Sequence, residues 1–247
     1  VLTFDSGAVY GVADTDITFT TAAGIHASPL AEFAVLGLLY FTKDVESLHA
    51  RQEKRHWGRF ATRELAGQQA LVVGLGGVGS HVARMLACLG LDVWGMARSD
   101  RDALPEGVTR LISRDELTLA LPNVDALVLA CPYTSATHHL IGAHEIAALP
   151  QSAVLVNIAR GQVIDEPALV EALSAGRLAG AALDVFEQEP LPQSSPLWGL
   201  PNVLISPHSA GTVARENDRL VHLFLDNLDR YLDGRPLRNV FDRTRTY

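Results

Sequence analysis

One hexad limits the fold of this chain more than any other feature: Gly74-Leu75-Gly76-Gly77-Val78-Gly79, of the form G-x-G-x-x-G. It follows the apolar run from Ala70 to Val73 and opens a helical pattern over 79–89. Each glycine has a physical reason to be there. Gly74 permits the tight reversal out of a strand, Gly76 lets backbone approach a pyrophosphate, and Gly79 lets the helix pack close to the sheet. The helix N-terminus adds unpaired N–H groups and the positive end of a dipole. A glycine-rich turn without a ligand has the same spelling. The strand before it and the helix after it favour a dinucleotide.

The surrounding pattern alternates strands with helices. Apolar runs rich in Val, Leu and Ile predict strands at 70–74, 91–96, 108–112, 125–130, 153–158, 179–184 and 203–206. Helices are expected near 79–89, 114–120, 139–148, 166–175 and 213–232. Strands of this kind form a parallel sheet covered on both faces, so the fold class is doubly wound α/β, the Rossmann arrangement. Upstream, Ser28-Pro29 suits an N-cap and a first helical residue, predicting one helix from Ser28 to about Ala50. Its run Ala34–Phe41 is apolar on nearly every face and needs cover, from another domain or a second subunit. Residues 51–68 are mostly polar around Trp57 and read as an exposed arm.

Charge and cysteine usage exclude other classes. A net charge of −8 argues against a nucleic-acid binder, which must neutralise phosphates. The most apolar stretch, Phe33 to Phe41, is too short to span a bilayer. Cys88 and Cys131 lie far apart without metal-ligand spacing, so no metal site is expected and a reduced, cytoplasmic setting fits.

Several motifs in the second half follow one another in a specific order. Asn157-Ile158-Ala159-Arg160-Gly161 follows a strand. Leu183-Asp184-Val185-Phe186-Glu187-Gln188-Glu189-Pro190 comes next, then Ser195-Pro196-Leu197-Trp198, then Asn202 to Gly211 with Ser206-Pro207-His208-Ser209 inside it. Earlier, Gly24-Ile25-His26 precedes a helix carrying Glu32, and Cys131-Pro132-Tyr133-Thr134 precedes Thr137. Together these resemble the D-isomer-specific 2-hydroxyacid dehydrogenases, of the glyoxylate/hydroxypyruvate reductase kind, over about Gly7 to Asn239.

The resemblance implies reversible hydride transfer between a nicotinamide and C2 of a small 2-keto or 2-hydroxy acid. It places the catalytic residues at Arg160, Glu189 and His208. The residue types suit the work. An arginine fork binds a carboxylate through paired hydrogen bonds and is always charged. A histidine titrating near neutrality can give a proton to the carbonyl oxygen. A neighbouring carboxylate orients that histidine and favours its charged form. By resemblance Asp184 holds the nicotinamide amide, backbone of Gly77 and Val78 with Cys131, Ile158, Ala159 and Gly211 completes the cofactor contacts together with His208, and Gly7, Ala8 and Val9 join Arg160 on the substrate. The other histidines have bland readings: His138 and His139 in a loop, His49 and His56 near the arm, His222 on a helix, His81 at the surface. Glu187 receives no role.

Cofactor choice depends on the end of the second strand. An acidic residue there grips the adenosine ribose, yet the slot holds Ala97, followed by Arg98 and Ser99. This predicts NADP(H) in preference to NAD(H). The alternative is that Asp100 or Asp102 folds back to the ribose. The resemblance also divides the chain: 1–27 as the remnant of a flavodoxin-like substrate-binding domain whose earlier part is absent, 28–68 as interdomain and dimerisation helix and arm, 69–211 as the dinucleotide-binding domain, and 212–247 as a C-terminal helix returning to the substrate domain. A homodimer through the helix from Ser28 is expected. Three other readings stay open: a nicotinamide-sensing corepressor of the same fold, a D-3-phosphoglycerate dehydrogenase, and an inert fragment that binds dinucleotide.

Overall fold

The computed structural model describes residues 17–98 and 103–241. Seven strands form one parallel sheet: β1 (Gln69–Val73), β2 (Asp92–Met96), β3 (Arg110–Ile112), β4 (Ala126–Leu129), β5 (Val154–Asn157), β6 (Gly180–Leu183) and β7 (Val203–Ile205). Their order is β3-β2-β1-β4-β5-β6-β7. β1 therefore pairs with both β2 and β4, and the crevice for a ligand opens where the winding reverses, at the carboxyl ends of β1 and β4. All seven expected strands form, each within two residues of its expected ends. β1, β4, β5 and β6 are buried almost throughout, which is why they read as unbroken apolar runs rather than alternating ones.

The helices that follow the strands are α3 (Gly77–Cys88), α4 (Leu117–Ala120), α5 (Ala143–Ala148), α6 (Glu166–Ser174) and α7 (Glu216–Leu232). α3 packs on one face of the sheet and α4, α5 and α6 on the other, which divides the core. One cluster centres on Leu71, Leu127, Leu155 and Leu169, the other on Val72, Val82, Val128 and Val156. Three of these helices begin three or four residues later than expected. The largest difference is at α5. Residues 139–142 are drawn alongside 161–164, with the Ile141 N–H donating to the Val163 carbonyl at 3.1 Å and a parallel bridge from Ile141 to Ile164. His139 there has φ of 47°, outside helical space.

The helix expected from Ser28 to Ala50 is two helices, α1 (Ala27–Thr42) and α2 (Val45–Glu53). Asp44 separates them. It takes a left-handed conformation, φ 50°, and its carboxylate accepts from the Ser47 N–H at 3.2 Å, so it caps a new helix. Ser28 is not the N-cap either. α1 starts a residue earlier, after His26, and the Ser28 hydroxyl donates to Glu32 at 3.0 Å. The apolar helix is covered within its own chain on one side. Ala31, Ala34, Gly37 and Leu38 are buried, and Gly37 lies so close to Ala182 of β6 that a β-carbon on it would overlap the alanine methyl. Leu38 alone adds about 1.5–3 kcal/mol by leaving water. Leu36, on the other side, is 53% exposed.

After α2 the arm runs with little regular structure, and Trp57 is 99% exposed. At the far end of the chain, Asn239 and Phe241 return to Thr21 and Phe19 through backbone bonds of 2.8 Å. α7 buries only Asn227 and leaves Val221, Phe224, Leu225, Leu228, Tyr231 and Leu232 exposed along its length.

Candidate active site

The glycine loop has the geometry its sequence predicts. Gly74 has φ of 94° and its backbone abuts Cys131, where a β-carbon would overlap main chain. A β-carbon on Gly79 would overlap the Gly74 carbonyl oxygen, so α3 can approach β1 only with glycine there. Gly76 differs: a β-carbon on it would meet nothing within 4 Å. No side chain caps α3 at Gly76, and the first N–H groups of a helix have no partner within it. Bare backbone, open space before it and a helix N-terminus behind fit a pyrophosphate. Gly77 faces Gly24, just before α1, and Gly211 faces the His26 ring. The glycine loop and the His208 loop thus meet the same short segment. Burial pushes the Cys131 thiol up to about 11, so it is a neutral packing group.

β5 ends at Asn157, which shapes the loop that presents Arg160. The Asn157 amide donates to the Arg160 carbonyl at 3.1 Å and its oxygen accepts from the Ala159 N–H at 3.0 Å. The Ile158 N–H donates to Leu129 at 3.1 Å. Both N–H groups of Ile158 and Ala159 are therefore spent within the protein, and any contact to a cofactor must use their carbonyl oxygens or side chains. The Arg160 guanidinium donates to its neighbour, the Ala159 carbonyl, at 2.6 Å. A 3-10 turn, Gly161–Val163, follows. A β-carbon on Gly161 would overlap the Phe186 carbonyl group, so the arginine loop is pressed against the segment leading to Glu189.

His208 and Glu189 form the closest approach to a catalytic pair. His208 Nδ1 lies 2.7 Å from Glu189 Oε2, with the two side chains 43% and 35% exposed. The other Glu189 oxygen accepts from the Phe186 N–H at 3.0 Å. His208 has φ of 52° and its N–H donates to the Asp184 carbonyl at 2.9 Å. Asp184 itself is buried. Its Oδ1 accepts from the Ser206 hydroxyl at 2.5 Å and from the Ser209 and Ala210 N–H groups at 2.8 and 2.9 Å. The carboxylate at the end of β6 thus knots the His208 loop in place. The sequence offered Asp184 only as a cofactor contact. Its spacing from Ser206, two residues before the histidine, was the signal for this second role.

Glu187 and His139, which carried no role in the sequence, are joined by a 2.7 Å contact between Oε1 and Nε2. Glu187 also meets Glu166, whose carboxyl burial holds above the usual range; the Glu187 N–H opposes that rise and the Glu187 charge adds to it. Arg98 is exposed just beyond β2, whose Met96 carbonyl accepts from the Gly74 N–H at 2.8 Å. The expected contacts from Gly7, Ala8, Val9 and Ser99 lie outside the described residues. A cavity of about 620 Å³ lies elsewhere, between Arg51, Arg55, Trp57 and Phe60 of α2 and the arm. Among the described residues no helix is long and apolar enough to cross a membrane.

A family model described as D-isomer specific 2-hydroxyacid dehydrogenase, NAD binding domain, matches residues 35–210. A glyoxylate/hydroxypyruvate reductase of Arabidopsis thaliana is 34% identical over 226 residues, covering 90% of this chain and 68% of that protein. The crystal structure of a D-isomer specific 2-hydroxyacid dehydrogenase from Xanthobacter autotrophicus Py2, in complex with NADPH and MES, superposes with a TM-score of 0.82 at 35% identity, covering 94% of this chain and 95% of that one. An NADPH-dependent glyoxylate/hydroxypyruvate reductase from Sinorhizobium meliloti, in complex with NADP and sulfate, gives a TM-score of 0.84 at 29% identity, covering 94% and 74%.

Proposed function

The chain belongs to the D-isomer specific 2-hydroxyacid dehydrogenases, and from that premise we propose that it reduces the keto group of a small 2-keto acid, of glyoxylate or hydroxypyruvate size, using NADPH. The observation that carries the reading is the 2.7 Å contact between His208 Nδ1 and Glu189. It engages one ring nitrogen and leaves Nε2 for substrate, with the carboxylate holding the ring in place.

A nicotinamide dinucleotide would supply the hydride; backbone of Gly76, Gly77 and Val78 would hold its pyrophosphate, and Cys131, Ile158, Ala159, Asp184 and Gly211 would complete its contacts. Arg160 binds the substrate carboxylate through its fork and steadies charge developing on the carbonyl oxygen. His208 holds a proton at Nε2 and gives it to that oxygen; Glu189 keeps the ring oriented throughout. In the oxidative direction His208 takes the proton back. The test is turnover of a panel of 2-keto acids with each reduced cofactor. No turnover alongside tight dinucleotide binding would favour a sensing role instead.

The NADPH preference rests on Ala97 and Arg98. Without an acid at the end of β2 nothing repels a 2′-phosphate, and the exposed Arg98 offers it donors. Arg98→Ala should reduce the ratio of catalytic efficiencies, NADPH over NADH, by about tenfold at low salt and by less at high salt. A ratio untouched by the substitution would show that this segment does not read the phosphate.

Residues 1–27 we assign to the end of a substrate-binding domain, to which α7, with its exposed apolar row, would return. The chain is expected to form a homodimer through the outer face of α1, where Leu36 is exposed, and through the arm with Trp57. Light scattering should give twice the chain mass, and Leu36→Glu should lower it. A monomeric parent would remove the assignment.

A further inference from the structure

One histidine outside the catalytic set joins three loops of the site. His139 Nε2 contacts Glu187 Oε1 at 2.7 Å, and both side chains are partly shielded from water. The His139 ring stacks on His138 at 4.0 Å, which restricts its rotation. Its own N–H donates to the Gln162 carbonyl at 2.9 Å, one residue beyond Gly161. Gln162 in turn donates from its amide to the Glu187 carbonyl at 2.9 Å. The Glu187 N–H donates to Glu166 at 2.9 Å at the start of α6, and the Glu166 N–H returns the bond to Glu187 at 3.4 Å.

We infer that His139 and Glu187 are positioning residues for the reaction: their contact ties the loop after β4 to the 184–189 segment and so fixes Arg160 relative to Glu189 and His208. The inference rests on the roles proposed above for those three residues. The circuit is closed. Gly161 presses on the Phe186 carbonyl, Phe186 donates to Glu189, and Glu189 holds His208. Arg160 sits directly before Gly161, so the arginine loop has one wall made of the 186–187 backbone. The Glu187 side chain holds that wall from behind, and His139 is the group that anchors the side chain to a third segment. His139 adopts its left-handed backbone, φ 47°, while its N–H and its ring both point into this network. A hydrogen bond to a charged, partly shielded carboxylate is stronger than a rim ion pair and more sensitive to geometry.

The test compares His139→Ala, His139→Gln and Glu187→Gln with the parent, using glyoxylate and NADPH. The alanine variant should raise KM for the keto acid about tenfold, because a shift of about an ångström in a substrate-binding group has effects of that order or larger. The kcat should change by less than about threefold, and NADPH affinity by less than about twofold, since the Gly76–Gly79 loop lies outside the circuit. Hydrogen exchange should speed up in peptides covering 160–166 and 185–190. His139→Gln keeps a donor for Glu187 and should restore KM to within about threefold of the parent. Unchanged exchange over 160–166 in the alanine variant, an unchanged KM, or glutamine no better than alanine would each overturn the inference. If the parent itself reduces no 2-keto acid, the functional reading falls, and the exchange comparison still decides whether the tie exists. If the alanine variant fails to fold, Glu187→Gln, which preserves volume and weakens the same contact, should show the raised KM and the faster exchange in its place.

Discussion

His208→Ala should lower turnover of a 2-keto acid by about 100-fold or more, the range for a lost general acid. NADPH affinity should stay close to that of the parent, because the loop around His208 is held by other bonds. Asp184 accepts from Ser206, Ser209 and Ala210 whatever the side chain at 208. Glu189→Gln is expected to have a smaller effect. The amide still accepts from Phe186 and can still meet the ring, yet it removes the carboxylate charge beside the proton donor. Steady-state rates for parent and both variants decide it. Parent-like turnover in His208→Ala would remove histidine from the mechanism.

Gly79→Ala should abolish measurable dinucleotide binding and lower stability by more than the usual overpacking cost of about 1–3 kcal/mol. The added carbon would overlap the Gly74 carbonyl oxygen, which belongs to backbone and cannot swing aside. Either α3 moves off β1 or the loop changes shape, and both moves pull the helix N-terminus from the site. Gly76→Ala is the informative companion. A β-carbon there meets no protein atom within 4 Å, so the fold should tolerate it and thermal unfolding should stay nearly unchanged. The same carbon would stand where a pyrophosphate approaches, so affinity should still drop by about tenfold or more. Thermal unfolding paired with NADPH fluorescence titration separates the two. Equal binding in parent and Gly76→Ala would show that the loop does not hold the phosphates.

The sheet was legible because its central strands β1, β4, β5 and β6 are buried on both faces, and their apolar runs leave little choice of partner. The hexad at Gly74–Gly79 supplied both strand exit and helix entry. The pairing of His208 with Glu189 was legible only through motif order, since 19 residues and a turn separate them in sequence. What sequence could not supply were local conformations decided by distant partners. Asp44 reads as one more polar residue in a helical pattern until its left-handed backbone and its bond to Ser47 are known. His139 reads as a helix start, yet residues 161–164 claim the backbone on either side of it. Glu187 lies in a motif whose other acid takes the catalytic assignment. Its partner is 48 positions away, beyond any periodic signal.

The placement of α1 has a consequence for how the chain is made. α1 precedes every strand of the sheet, yet the surface that Gly37 and Leu38 rest on includes β5 and β6, which are synthesised well over a hundred residues later. A ribosome working at ordinary rates takes about ten seconds to cover that distance. During that interval the apolar run Ala34–Phe41 is outside the exit tunnel with the β5 and β6 part of its seat unbuilt. Hydrophobic surface shown for so long invites binding by chaperones and contact between neighbouring nascent chains. Synthesis stalled before Gly180 should therefore leave the nascent chain bound to holding factors and open to protease around residues 30–41. Release beyond Leu183 should close that site in one step.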